Sequence, residues 1–275
     1  MLETINQWEK ALIQRTSNKG KTAAKKRGRK LQRKALGALK KARPFTSWLV
    51  IPIVIAIAAS GYLIINSSFA GTKVARIRED RTPFIDISSP QCSRLNSIGY
   101  YNYGIVGLNG TYMNFGINPC LNAEVKHFRS YDVYVGANYP SHQCPRNMSA
   151  YNCGRKAASF NLGVINNIAR IRPRAFWVDV ESGPAIPWST QTNNRAFLNG
   201  LREGMQRGLS FAGYYSNESM WNQITGNMQF SGAAWYATGA GNAKDAQKKC
   251  TKGFGGKRAY YVQYIKSNLD HNTRC

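Results

Sequence analysis

Ala175-Phe-Trp-Val-Asp-Val-Glu-Ser182 sets two acids at alternate positions of an otherwise apolar run. On a strand, residues two apart share a face, so Trp177, Asp179 and Glu181 point one way and Phe176, Val178 and Val180 the other. The apolar set can pack beneath helices while the carboxylates emerge toward the strand's C-terminal end, where barrel active sites are built. Two carboxylates one strand repeat apart repel each other, and with partial desolvation this raises the pKa of one of them. A protonated acid beside an ionised partner is what glycoside hydrolysis requires. Ion pairing of both acids with the neighbouring Arg172 or Arg174 is the competing reading.

Working outward, Phe84 to Ser88, Tyr103 to Leu108, Tyr131 to Gly136, Phe211 to Tyr215, Ala233 to Ala237 and Ala259 to Ile265 read as further strands. Between them, residues 155–172 place Leu162, Ile165, Ile168 and Ala169 at helical spacing before Pro173. Residues 192–207 do the same with Phe197, Leu201 and Met205 before Gly208. Strands joined by helices pair in parallel, and seven strands in a region of this length fit one TIM-like (β/α) barrel over residues 83–275. The alternative is an open doubly wound sheet. Asp86 leads into Ser-Ser-Pro-Gln rather than a glycine-rich phosphate loop, so a nucleotide is not expected, nor is any other cofactor.

Charge divides the chain differently. The sequence has 38 Lys and Arg against 13 Asp and Glu. Residues 1–47 hold 14 of the basic residues against Glu3 and Glu9, a net +12, leaving +13 for the rest. Residues 48–65, WLVIPIVIAIAASGYLII, are uncharged and almost wholly apolar, enough for roughly 27 Å of helix, about a bilayer core. The expected organisation is a basic cytoplasmic tail (1–47), a transmembrane signal anchor (48–66), a stalk (67–82) and an extracytoplasmic barrel domain (83–275). Cleavage after Ser68-Phe-Ala70, releasing the barrel, is the other expectation for location. Beside a span, the polybasic tail suits orientation and anionic headgroups better than nucleic acid.

All six cysteines, Cys92, Cys120, Cys144, Cys153, Cys250 and Cys275, follow the span, as disulfides in an oxidising compartment require. No C-x-x-C pair occurs and His127, His142 and His271 are scattered, so no metal site is expected. Cys144 and Cys153, in the stretch 140–154, read as the staple of a loop. Proximity to the first and last strands suggests Cys92 with Cys120 and Cys250 with Cys275.

The motifs taken together resemble a known family. Phe84-Ile-Asp86-Ile-Ser-Ser-Pro-Gln91 is similar to the opening D-[VI]-S-x-x-Q strand of the family 25 glycoside hydrolases, lysozyme-type muramidases. Asp179 and Glu181 match their central D-x-E. Gly213-Tyr-Tyr215, Trp235-Tyr-Ala237 and Gln263-Tyr264 followed by Asp270-His-Asn272 are similar to three later motifs, in order. SSPQC, NGT…NPCL, YNCGRKAA and the terminal Cys275 look closer still to exported actinobacterial glycoside-hydrolase-like proteins.

The resemblance implies that Glu181 is the general acid and that Asp179 orients the substrate's N-acetyl group. Asp86 and Asp270 would complete a ring of acids. Tyr215, Trp235 and Tyr264 would face the sugar, with Asn109 and Gln91 also on the substrate side. It implies peptidoglycan, or another cell-wall polysaccharide, as partner. The chain departs from the family pattern at Gly107-Leu-Asn-Gly-Thr111 and at Tyr134-Val-Gly-Ala-Asn-Tyr139, which replace K-A-[ST]-E-G and Y-H-F. A barrel that binds wall glycan without cutting it is therefore the alternative.

Overall fold

The computed structural model describes residues 82–110, 114–141 and 143–275. The expected tail, span and all but the last residue of the stalk lie outside the described residues. Among the described residues no helix is long and apolar enough to cross a membrane.

Among the described residues nine strands follow in chain order: β1 (Phe84–Ile87), β2 (Gly104–Gly107), β3 (Tyr131–Gly136), β4 (Ala175–Asp179), β5 (Ser210–Ser216), β6 (Ala233–Ala240), β7 (Gly253–Phe254), β8 (Lys257–Lys266) and β9 (Leu269–Arg274). Strands β1 to β6 pair in parallel with their sequence neighbours, and β6 pairs in parallel with β8. The barrel is closed by β9, which runs antiparallel to both β8 and β1. β7 is a two-residue ribbon on the edge of β8. The expected barrel is present, with one correction: its eighth strand is not reached through a helix. Ser267 and Asn268, with φ of 52° and 58°, make the tight turn that reverses the chain between β8 and β9.

The helices are α1 (Leu121–Glu124), α2 (Ala150–Gly163), α3 (Gln191–Met205), α4 (Glu218–Thr225) and α5 (Ala243–Gln247). Ser149 caps α2 by accepting from the Asn152 amide, and Asn217 caps α4 by accepting from Met220. Helix α2 begins earlier than its apolar spacing implies, because Cys153 and Gly154 face inward with Ala157 and Ala158. Cys153 therefore sits on a helix, and its bridge to Cys144 staples a loop to that helix rather than closing a loop on itself. Helices α2 and α3 touch through glycines. A Cβ at Gly154 would lie 2.1 Å from the Phe197 carbonyl oxygen, and one at Gly200 2.1 Å from that of Tyr151.

Alternation along the strands builds two cores. Ile85, Ile87, Val133, Val135, Phe176 and Val178 face outward into the layer beneath the helices. Phe84, Tyr103, Trp177, Trp235 and Tyr261 face inward and fill the lower barrel. Edge-on contacts hold this plug together, with Phe84 4.9 Å from both Tyr103 and Tyr261 and Trp177 5.7 Å from Trp235. Beneath it the Asp132 carboxylate accepts from the Tyr103 hydroxyl (2.7 Å) and the Trp177 indole (3.2 Å). The plug makes a solid floor for whatever stands above it.

Candidate active site

Above the floor, at the C-terminal ends of the parallel strands, lies a cleft of about 160 Å³. Seven strands contribute by their inward parity: Asp86 from β1, Tyr134 and Gly136 from β3, Asp179 from β4, Tyr215 from β5, Trp235 from β6, Gln263 from β8 and Asp270 from β9. Glu181 follows two residues after Asp179 and also lines the cleft. Its backbone is held where the strand ends, since the Trp188 indole donates to the Glu181 carbonyl at 2.7 Å. Asp179 and Glu181 thus share one face, and Asp86 and Asp270 are direct cross-strand partners.

Asp86 is the most tightly held of the four. Gln263 donates its amide to both carboxylate oxygens (3.2 and 3.0 Å), and Asn272 donates to one of them at 2.6 Å. Each amide is oriented in turn: the Tyr215 hydroxyl donates to Gln263 at 2.6 Å and the Trp235 indole donates to Asn272 at 2.7 Å. Residues from five strands therefore form one network around a single buried carboxyl. Burial pushes the Asp86 pKa well above the usual carboxylate range and the Asp270 and Glu181 charges add to this, while the two amides oppose it. Burial also raises Asp179 strongly, with help from Glu181 and then Asp86, and it raises Asp270. The Oδ1 atom of Asp179 is buried and has no hydrogen-bond partner. Such a cleft holds a proton more readily than free carboxylates do and presents an acceptor to an incoming donor.

The structure thus brings together Asp86, Asp179, Glu181, Asp270, Tyr215, Trp235, Asn109 and Gln91 on one cleft. Two of these have structural duties there. Asn109 donates to the Gly136 carbonyl and accepts from its amide, both at 2.9 Å, splicing the ends of β2 and β3. The Gln91 side-chain oxygen accepts from the Ser88 amide at 2.9 Å, shaping the turn after β1. Tyr264 is a correction. It lies on the outer face of β8, stacked on His271 and packed with Ala246 of α5, because only Tyr261 and Gln263 share the inward parity of that strand. Gln263 takes the place expected for it. Tyr134 and Asn272 are also given no role by the sequence, although the alternation of Asp132, Tyr134 and Gly136 along β3 marks Tyr134 as inward. Arg172 and Arg174 stand at the opposite end of β4 from the cleft acids, and the charge of Arg174 acts instead on Asp132 below the floor.

The three expected disulfides are present: Cys92–Cys120, Cys144–Cys153 and Cys250–Cys275.

Barrel enzymes build their sites at the C-terminal ends of the strands, and a carboxylate cluster there has the groups that glycan cleavage requires. The model of the family described as lysozyme-like protein 1 matches residues 88–255, more than half of the sequence, and the chain belongs to that family. No curated protein matches it. Among solved structures, the fold is similar to the spore cortex lytic enzyme SleM of Clostridium perfringens, at 12% identity over 72% of this chain and 68% of that one, with a TM-score of 0.50. The catalytic domain of the endolysin ply40 from bacteriophage P40 of Listeria monocytogenes matches at 14% identity over 72% of this chain and 95% of that one, with a TM-score of 0.48. The modular autolysin LytC of Streptococcus pneumoniae matches at 14% over 71% of this chain and 47% of that one, also at 0.48. At these identities the likeness is one of fold.

Proposed function

We propose that the chain is a muramidase-type hydrolase of the family 25 kind that cleaves a β-1,4 glycosidic bond of peptidoglycan. The observation that carries this reading is the convergence of Asp86, Asp179, Glu181 and Asp270 on one cleft walled by Tyr134, Tyr215 and Trp235. In it, Glu181 donates a proton to the leaving glycosidic oxygen. The unpartnered Oδ1 of Asp179 accepts the acetamido N–H of the sugar and turns the acetamido oxygen toward the anomeric carbon. A bond forms from that oxygen as the glycosidic bond breaks, and water then opens the cyclic intermediate while Glu181 takes its proton. This is the substrate-assisted variant of the two-carboxylate scheme. Asp86 and Asp270, across the cleft, stabilise the positive charge that develops on the sugar, and the aromatic walls face its ring.

The same reading places the barrel outside the cell, tethered by residues 48–66 with residues 1–47 in the cytoplasm, as the charge asymmetry and the six paired cysteines support. The test is mass spectrometry of soluble products after the full chain, disulfides intact, is incubated with purified peptidoglycan beside Glu181→Gln. Muropeptides released by the native chain and reduced by at least about 100-fold in the variant are expected, the scale of losing a general acid. Retention on the wall without cleavage is the second reading, favoured by an outer surface on which, among the described residues, only Glu203, Glu218 and Asp245 offset the Lys and Arg residues. Sedimentation of the protein with peptidoglycan and no product from either form would establish it.

A further inference from the structure

The cleft leaves most of the basic charge of the barrel unexplained. Of the acids among the described residues, Asp86, Glu124 and Asp132 are buried and Asp179, Glu181 and Asp270 line the cleft, so they do little to neutralise the exterior. The cations are also clustered. Lys244, Lys248, Lys249, Lys252, Lys257 and Arg258 are all exposed and all come from the segment running from α5 through β7 into the start of β8. The Ala259 amide donates to the Lys252 carbonyl at 2.8 Å, and the β7–β8 register sets Gly253 opposite Arg258 and Phe254 opposite Lys257. Lys252, Lys257 and Arg258 therefore belong to one exposed hairpin, and the Cys250–Cys275 bridge holds the start of that hairpin to the end of β9. Among the described residues, two acids adjoin the strip. Asp245 accepts from Lys248 at 2.6 Å, and Glu218 borders the same shallow depression as Lys249. Like charges gathered on neighbouring exposed segments repel, a cost that a bound polyanion reverses.

We propose that this strip is a docking surface for a linear phosphodiester polymer of the cell envelope, a chain of sugar or polyol phosphates that keeps the enzyme on the wall while the cleft works. The choice of polymer rests on the wall-hydrolase reading; the existence of a polyanion site does not. Five of the six cations are lysines, which act as mobile point charges and suit a flexible polymer better than a fixed bidentate ligand. The strip offers no exposed aromatic side chain on which a nucleic-acid base could stack and no exposed large apolar side chain to enter a bilayer; those exposed among the described residues are Tyr100, Ile117, Ile168 and Ile265, none of them in the strip.

The test compares the full chain with a variant carrying Lys249→Gln, Lys252→Gln, Lys257→Gln and Arg258→Gln, and with a second variant carrying Arg at all four positions. Binding to purified wall teichoic acid freed of peptidoglycan is measured at two salt concentrations. Affinity for it is expected to fall about tenfold or more in the Gln variant, with a shallower salt dependence, and to be kept in the Arg variant. Cleavage of teichoic-acid-free peptidoglycan should be equal in all three. Equal affinities for native and Gln forms would overturn the strip as the site. Tighter native binding to single-stranded DNA or to phosphatidylglycerol vesicles than to the teichoic acid, lost in the Gln variant, would overturn the occupant. If no form cleaves peptidoglycan, the hydrolase reading fails while the binding comparison still decides the strip.

Discussion

Glu124 shows how much one buried carboxyl can say. It sits at the end of α1, fully buried, with the Asn118 amide donating to it at 2.5 Å, and Asn118 in turn donates to the Gly107 carbonyl beside the cleft. Burial raises its pKa from 4.5 to about 7 and the Asn118 bond offsets only part of this. The folded state therefore binds a proton that the unfolded state releases. The contribution to stability is whole below about pH 4.5 and is lost as pH rises through about 7, a change of roughly 3 kcal/mol at most. Glu124→Gln should be more stable than the native chain at pH 8 and equal to it near pH 4, read by thermal melting across that range. Asp86 and Asp179, raised in the same direction, leave a residual slope in the variant. If native and variant lose stability in parallel over the whole range, Glu124 is not the titrating group. Nothing in the sequence around Leu121-Asn-Ala-Glu124 announces this, because burial of Glu124 depends on the neighbouring Cys92–Cys120 bridge and on β2.

Among the elements, the α2–α3 contact is set by residues that carry no side chain. Alanine in a helix is favoured over glycine by about 1 kcal/mol, so on propensity alone Gly154→Ala would stabilise the protein. The clash with the Phe197 carbonyl reverses the sign, since a backbone atom cannot swing aside and the helices must separate. A net loss of about 1–3 kcal/mol is expected, measured as a lower denaturant midpoint. At Gly163, near the end of α2, where a Cβ meets nothing within 4 Å, the same change should stabilise. An unchanged or raised midpoint for Gly154→Ala would show that the helices already have room. The periodicity of 192–207 is enough to identify α3, but the pairing of Gly154 with Gly200 is invisible until both helices are in place.

For the whole molecule, the last strand matters most. β9 closes the barrel, brings Asp270 to the cleft and Asn272 to the Asp86 carboxylate, and the Cys250–Cys275 bridge pins its end across a sequence separation of 25. Replacing both cysteines by serine should cost about 3 kcal/mol. Hydrogen exchange should then rise first in β9, and any glycan cleavage should fall with it, because Asp86 loses one of its two amide donors when β9 frays. Loss of stability spread evenly over the barrel, with β9 no faster than β3, would contradict that picture.

The sequence by itself determined that Trp177, Asp179 and Glu181 share one face of β4, and its alternating strands pointed to the barrel class. Both follow from alternation and spacing over short stretches, which local sterics impose wherever a strand forms. The disulfide pairing, one of 15 that six cysteines allow, was decided by the fold. Tertiary structure alone decided that Leu269-Asp-His-Asn-Thr-Arg274 is a strand, since so polar a segment becomes one only when β1 and β8 offer their edges. It also decided that Gln263 rather than Tyr264 faces the cleft, and that Asn272 holds Asp86 across a separation of 186 residues. A local pattern says which side chains share a face, but which face meets the cleft is settled only by closing the barrel.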